Sequence, residues 1–237
     1  MTQWVSPESR SNYEVTEMFH SIQGEGMRAG ELTTFIRFAV CNFDCEWCDT
    51  AHSLYTRKAF KFESMSAEKI LDFIDEVENP AVCLTGGEPM YRPDYELVPI
   101  VKQLNERKKF VTIETNGSIV KDILYDDDSK VDLWSLSPKL MSAKTVHWSE
   151  HTEEVTKYCE RWDGENLQFK LVVGSEEDIV DCMSFLKEFY LADAGIPVFI
   201  MPVFQKWKGK DVIRNWDIAQ HPNVRIITQQ HKYLGVR

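Results

Sequence analysis

Residues 33–50 run TTFIRFAVCNFDCEWCDT. The β-branched and aromatic residues at its start predict a strand over 33–39. Directly after it, Cys41, Cys45 and Cys48 follow in a C-x3-C-x2-C loop. Three thiolates from one loop each ligate one iron of a 4Fe–4S cluster, whose usual complement is four cysteines. No fourth cysteine lies nearby, so one iron would stay open to a ligand that is not protein. Zinc is the competing reading: a structural zinc site takes four ligands, and His52 stands four residues beyond Cys48. The second ligand pair usual for zinc is missing. Cys83, Cys159 and Cys182 are scattered, and Cys83 sits in an Ala-Val-Cys-Leu strand pattern, so all three read as small core residues.

Outward from the cysteines, short apolar runs alternate with amphipathic stretches. Ile70, Leu71, Ile74 and Val77 recur at helical spacing and predict a helix over 67–77, with Ser66 as its cap. A second helix is expected over 95–106, with Leu97, Ile100, Val101 and Leu104 on one face. A third is expected over 176–189, where Ser175 and Asp178 resemble a capping box. Further strands are expected over 81–84, 110–113, 131–136, 169–173, 198–201 and 224–228. The acidic run 126–128 reads as a solvated loop.

Seven short strands separated mostly by helices predict an α/β fold of parallel β/α units. A complete eight-fold barrel takes about 250 residues. With 237 residues, of which 1–31 and 49–66 are spent on other things, the expectation is an incomplete, open barrel of six to seven strands. One domain over 13–237 is expected, with residues 1–12 an extension of no assigned function.

The polar clusters fall at strand ends. Thr85-Gly-Gly-Glu-Pro89, Glu114-Thr-Asn-Gly117, Ser137-Pro-Lys139 and Met201-Pro-Val-Phe204 each follow a predicted strand, as the cysteine loop does. In β/α barrels that edge carries the active site. Gly86 and Gly87 allow a sharp turn and close approach of backbone to a ligand. Taken singly, each cluster reads equally as a plain turn, Lys139 as surface charge and Trp47 as packing.

The composition is that of a globular protein, 43 % hydrophobic and 27 % charged, with a formal net charge of −11. An acidic chain is poorly suited to duplex nucleic acid. No apolar run approaches the roughly 20 residues of a membrane helix, and residues 1–13 show no basic-then-apolar signal pattern. A soluble, cytoplasmic chain is expected, with neither nucleic acid nor membrane as partner.

The cysteine spacing, the aromatic Trp47 before the third cysteine and Gly-Gly-Glu-Pro after the next strand are similar to the radical S-adenosylmethionine (SAM) superfamily. That resemblance implies an open barrel of the radical SAM type and a 4Fe–4S cluster whose open iron is chelated by SAM. Reduction would then cleave SAM to methionine and a 5′-deoxyadenosyl radical that abstracts hydrogen from the substrate. Ser21-Ile-Gln-Gly-Glu-Gly26, Arg37, Cys48-Asp-Thr50 and the closing run Gln229-Gln-His-Lys-Tyr-Leu-Gly-Val-Arg237 narrow the resemblance. Together they look like the 7-carboxy-7-deazaguanine synthase family, from Val15 onward. The family implies a lyase that converts 6-carboxy-5,6,7,8-tetrahydropterin to 7-carboxy-7-deazaguanine with loss of ammonia. This is a step towards queuosine and other 7-deazapurines. SAM would be a reusable cofactor and Mg²⁺ would assist. An external electron donor such as flavodoxin or ferredoxin and a homodimer are also implied.

Carried onto this sequence, the resemblance places Cys41, Cys45 and Cys48 on the cluster and Thr50 on Mg²⁺. Ile22, Gln23, Gly24, Glu25, Arg37 and Thr85 would meet the pterin substrate, as would His231 and the carboxylate of Arg237. Trp47, Asp49, Gly87, Ser137, Pro138, Lys139, Met201 and Pro202 would line the SAM pocket. The residue types suit the chemistry. Acceptors such as Glu25 read a guanidine-like pterin edge, and Arg37 can bind a carboxylate bidentately. Met201 stands where the family often has Gln, so a SAM contact there would pass through backbone. A strand-end salt bridge for Arg37 and an ordinary exposed tail position for His231 are the plainer readings. Two alternative functions remain: a glycyl-radical-activating enzyme acting on a protein partner, which gives no reason for residues 21–26 and 231–235, and a non-catalytic Fe–S or zinc module, which needs a fourth protein ligand and leaves the Gly-Gly-Glu-Pro turn unexplained.

Overall fold

The computed structural model describes residues 12–54, 56–58, 60–204, 206, 209–215 and 221–237. In chain order the strands and α-helices are β1 (Asn12–Ile22), β2 (Leu32–Phe38), β3 (Glu63–Ser66), α1 (Ala67–Asp75), β4 (Ala81–Gly86), α2 (Asp94–Glu106), β5 (Phe110–Thr115), β6 (Leu133–Leu136), α3 (Thr152–Glu160), β7 (Leu167–Val173), α4 (Glu176–Glu188), α5 (Leu191–Ala194), β8 (Val198–Pro202), α6 (Gly209–Asn215), β9 (Val224–Ile226) and α7 (Gln230–Leu234). The strands form one sheet in the order β3-β1-β2-β4-β5-β6-β7-β8-β9. From β2 to β9 every neighbouring pair is parallel. The two end strands, β3 and β9, do not pair, so the barrel is open.

The seven parallel strands are those the apolar runs predict, with ends shifted by a residue or two. The antiparallel pair β1 and β3 is an addition. Residues 12–22 and 63–66 were expected to stand outside the sheet, and they extend it instead. β1 escapes a period-2 search because its register with β2 slips between Val15 and Glu17, so its alternation breaks midway. Residues 1–11 of the expected extension lie outside the described residues; Asn12 already pairs with Ser66.

Local signals work as the chemistry requires. Ser66 caps α1 by accepting from the Lys69 N–H, and Ile70, Leu71 and Ile74 are buried against the sheet. Each such side chain contributes about 1.5–3 kcal/mol by leaving water. The helix ends at Asp75, before the expected Val77, which lies on the surface. In α4 both halves of the Ser175–Asp178 capping box form. Residues 126–128 are exposed, as a solvated run should be, although short 3₁₀ turns contain most of the run. Cys83 and Cys182 are fully buried and Cys159 packs against the core.

The start of α4 also anchors the loop that leaves β6. The Asp178 carboxylate accepts from the N–H groups of Ser142 (2.9 Å) and Gly174 (2.7 Å). Asp181 accepts from the Trp148 indole (2.7 Å) and from His147 Nε2 (2.7 Å). Loop 137–150 is thereby held over the carboxyl edge of the sheet. No helix among the described residues is long and apolar enough to cross a membrane.

Candidate active site

A cavity of about 400 Å³ opens at the C-terminal edge of the parallel strands. That is the size of a small-ligand site. One wall is the cysteine loop, leaving β2. The lining also takes in the end of β1, the side chains of Glu114 and Lys170, and residues of the C-terminal segment from Gln229 to Arg237. All the site residues expected from the sequence line this cavity except Pro138, which is buried beside it.

The cysteine loop is fastened on several sides. Asn42 Oδ1 accepts from Asn116 Nδ2 (2.8 Å), and Asn42 Nδ2 donates to Ser118 Oγ (2.9 Å), tying the loop to the end of β5. The Trp47 indole donates to Ser142 Oγ (3.1 Å), and the Glu46 N–H to the Ala143 carbonyl (2.9 Å), tying it to the loop after β6. The Gly87 and Glu88 N–H groups donate to the carbonyls of Phe38 and Val40 (2.9 and 2.8 Å). Val40, just before Cys41, has φ +69°, which is costly for a β-branched residue and is held by these bonds.

This contact explains the glycine pair. A Cβ on Gly86 would lie 2.3 Å from the Phe38 carbonyl oxygen, and one on Gly87 would lie 1.8 Å from that of Val40. The close approach expected toward a ligand is thus first an approach to the cysteine loop itself. Buried Glu88 completes the turn, accepting from the N–H groups of Met90 (3.0 Å) and Asn116 (2.7 Å).

The donor set fits an iron–sulfur cluster. The three cysteines share the cavity wall, yet among the described residues no three His, Cys, Asp or Glu side chains are grouped so as to hold a single ion. His52, which a zinc site would need, lies 3.0 Å from Glu17 instead. Burial, with the Glu88 carboxylate adding to it, pushes the Cys41 thiol up to about 12, and burial raises Cys45 as well. Without metal these thiols stay protonated near neutrality, so loading must release protons. Lys139 supplies local positive charge, 5.6 Å from the Trp47 ring centre, with its ammonium donating to Ser137 Oγ (3.1 Å).

The same cavity is lined by a network that the motifs do not announce. Lys170 Nζ donates to Glu25 Oε2 (2.8 Å) and Glu114 Oε1 (2.7 Å), and Thr85 Oγ1 donates to Glu114 Oε2 (2.9 Å). Gln229 Nε2 donates to Glu25 Oε1 (2.7 Å), while Lys232 reaches Asp49 (2.9 Å). Burial pushes the Glu114 carboxyl up, but the Lys170 ammonium more than reverses this and holds it below the usual range. From sequence, Glu114, Gln229 and Lys232 stand out only as members of longer runs, with no role of their own, and Lys170 does not stand out at all. For Lys170 a signal existed: with Gln168 it is polar at every second position of an otherwise apolar strand, on one face of β7.

His231 packs on the backbone of Gly24, where a Cβ would lie 1.9 Å from Nδ1. Burial lowers its pKa despite the nearby Glu25 carboxylate, so the ring is neutral near pH 7. It is half-buried in the site rather than an exposed tail residue. Arg237 lines the cavity, and its carbonyl oxygen accepts from Ser21 Oγ (2.5 Å).

The family model for the radical SAM superfamily matches residues 35–212. The 7-carboxy-7-deazaguanine synthase of Thermoplasma acidophilum is 32 % identical over 223 residues, covering 93 % of this chain and 96 % of its own. That of Clostridium acetobutylicum is 30 % identical over 224 residues, covering 94 % and 96 %. Among solved structures, QueE from Escherichia coli superposes with a TM-score of 0.69 at 25 % identity, over 94 % of this chain and 96 % of that one. SuiB of Streptococcus suis, solved with bound S-adenosylmethionine, shares the fold at TM-score 0.54 and 18 % identity, over 82 % and 51 %.

Proposed function

The chain belongs to the radical SAM superfamily and, within it, to the 7-carboxy-7-deazaguanine synthase family, and from that premise we propose that it converts 6-carboxy-5,6,7,8-tetrahydropterin to 7-carboxy-7-deazaguanine with loss of ammonia. The observation that carries this reading is the shared cavity, lined by the three cysteines and by paired carboxylates and cations. Cys41, Cys45 and Cys48 would hold the 4Fe–4S cluster. Reduced by one electron and with SAM bound, that group would supply the electron that cleaves SAM to methionine and a 5′-deoxyadenosyl radical.

The chain's own residues bind and orient. Gly87, Ser137, Lys139, Trp47, Asp49, Met201 and Pro202 would line the SAM side, with Lys139 as the cation for a ligand carboxylate. Arg37 would take the substrate carboxylate, and Glu25 and Glu114 would accept from the N–H groups of the pterin edge. Lys170 donates to both carboxylates, and its ammonium holds Glu114 below the usual carboxylate range and so ready to accept. Gln23, Gly24, Ile22, Thr85, His231 and Arg237 would close around the rest. A buried site whose polar groups are spent on one substrate rejects analogues that leave them unpaired. Thr50 would offer its hydroxyl to Mg²⁺, a hard cation that takes oxygen ligands and keeps waters. The family resemblance adds an external electron donor such as flavodoxin or ferredoxin, and a homodimer.

Electron paramagnetic resonance of the reconstituted, reduced protein tests the cofactor half of this reading. Addition of SAM is expected to change the cluster signal, because the open iron gains a ligand. A signal indifferent to SAM would contradict it.

A further inference from the structure

We propose that Glu17, which no motif singles out, is the positioning residue for the substrate-binding guanidinium of Arg37; this rests on the reading above that Arg37 receives the substrate carboxylate. β1 pairs Val15 with Phe38, then Glu17 with Arg37, so Thr16 is an extra residue. Without that bulge Glu17 would oppose Ile36 and its side chain would turn to the other face. With it, Glu17 stands directly across from Arg37, on the same face. The bulge is pinned by Thr16 itself, whose hydroxyl donates to the Arg37 carbonyl (3.0 Å) and lies 3.1 Å from Ser53 Oγ.

Glu17 then faces two guanidinium groups and an imidazole from three parts of the chain. Its carboxylate is 3.0 Å from His52 Nε2, 3.8 Å from Arg37 Nε and 3.7 Å from Arg237 Nη1. Arg37 is one of the cavity-lining residues, whereas Glu17 is not. Arg37 Nε is buried and has no hydrogen-bond partner among the described residues, so the nearby carboxylate is what compensates its charge on that edge. At 3.8 Å the Glu17 carboxylate makes no hydrogen bond to Nε, but its charge draws the guanidinium to that edge and leaves the terminal nitrogens for a second carboxylate. Glu17 also links the Arg37 strand to the loop two residues past Thr50 and to the C-terminal residue. One acid thereby aligns three parts of the substrate wall.

The test is steady-state kinetics on the reconstituted enzyme. Glu17→Gln is expected to raise KM for 6-carboxy-tetrahydropterin about tenfold, with kcat, iron content and KM for SAM little changed. In an Arg37→Ala background the same substitution is expected to have no further effect on that KM. An unaltered KM in Glu17→Gln, or an equal rise in both backgrounds, overturns the proposal. Should Glu17→Gln not fold, Glu17→Asp keeps the charge one methylene farther back; a raised KM supports the proposal and a wild-type KM overturns it. If the wild-type enzyme itself makes no product from this substrate, the functional reading fails, which is a separate outcome.

Discussion

Gly87 and Val40 touch backbone to backbone: a Cβ on the glycine would lie 1.8 Å from the Val40 carbonyl oxygen. The turn after β4 is therefore the seat of the cysteine loop. Gly87→Ala is expected to displace residues 40–41 at a cost of about 1–3 kcal/mol, and to leave iron after reconstitution well below four atoms per chain. Iron and sulfide assays beside a thermal melt check this. Full iron loading in the variant would show that the contact is not what seats the loop.

Lys170 holds two carboxylates in place, and its side chain is only 5 % exposed. Lys170→Met would leave Glu25 and Glu114 facing each other without a cation. The expected loss is about 3–5 kcal/mol, read as a lower urea midpoint at unchanged slope. Adding Glu114→Gln should recover part of it. A Lys170→Met protein as stable as wild type would mean the network contributes nothing net.

The same network sets a pH dependence. Glu114 is held below the ordinary carboxylate range in the folded protein, Lys170 outweighing the effect of burial. A carboxyl depressed by folding contributes its stability in full above its unfolded pKa, about 4.3, and loses it as pH falls through the folded value. The stability gap between wild type and Glu114→Gln should thus be widest at neutral pH and narrow on acidification below about pH 4.5. Parallel curves from urea titrations at several pH values would refute the assignment.

Thr50 lines the cavity, its hydroxyl 3.5 Å from the Cys48 sulfur. Thr50→Ala is expected to remove most of the acceleration that Mg²⁺ gives, while iron content stays at the wild-type level. Turnover assays with and without Mg²⁺ decide it, an undiminished response counting against Thr50 as ligand.

Much of this architecture is legible along the chain, because the parallel strands are buried on both faces and read as plain apolar runs. Cys41, the Gly86–Gly87 turn and Ser137 could be placed at strand ends for the same reason. β1 could not, since its bulge at Thr16 breaks the alternation that marks a strand. The partners of Lys170 were hidden for a different reason. Glu25, Glu114 and Lys170 come from elements far apart in sequence, and only the folded chain puts Lys170 Nζ within 2.8 Å of both carboxylates. Glu17 likewise carries no motif; its role lies in a register.

One cavity joins the cysteine loop to Arg37, Glu25 and Glu114, and a single reaction is expected to use them together. Its most direct test is an anaerobic assay of the reconstituted protein with reductant, SAM, Mg²⁺ and 6-carboxy-tetrahydropterin, followed by mass spectrometry. The account predicts 7-carboxy-7-deazaguanine, formed without stoichiometric loss of SAM. Cleavage of SAM with no deazapurine formed would contradict it.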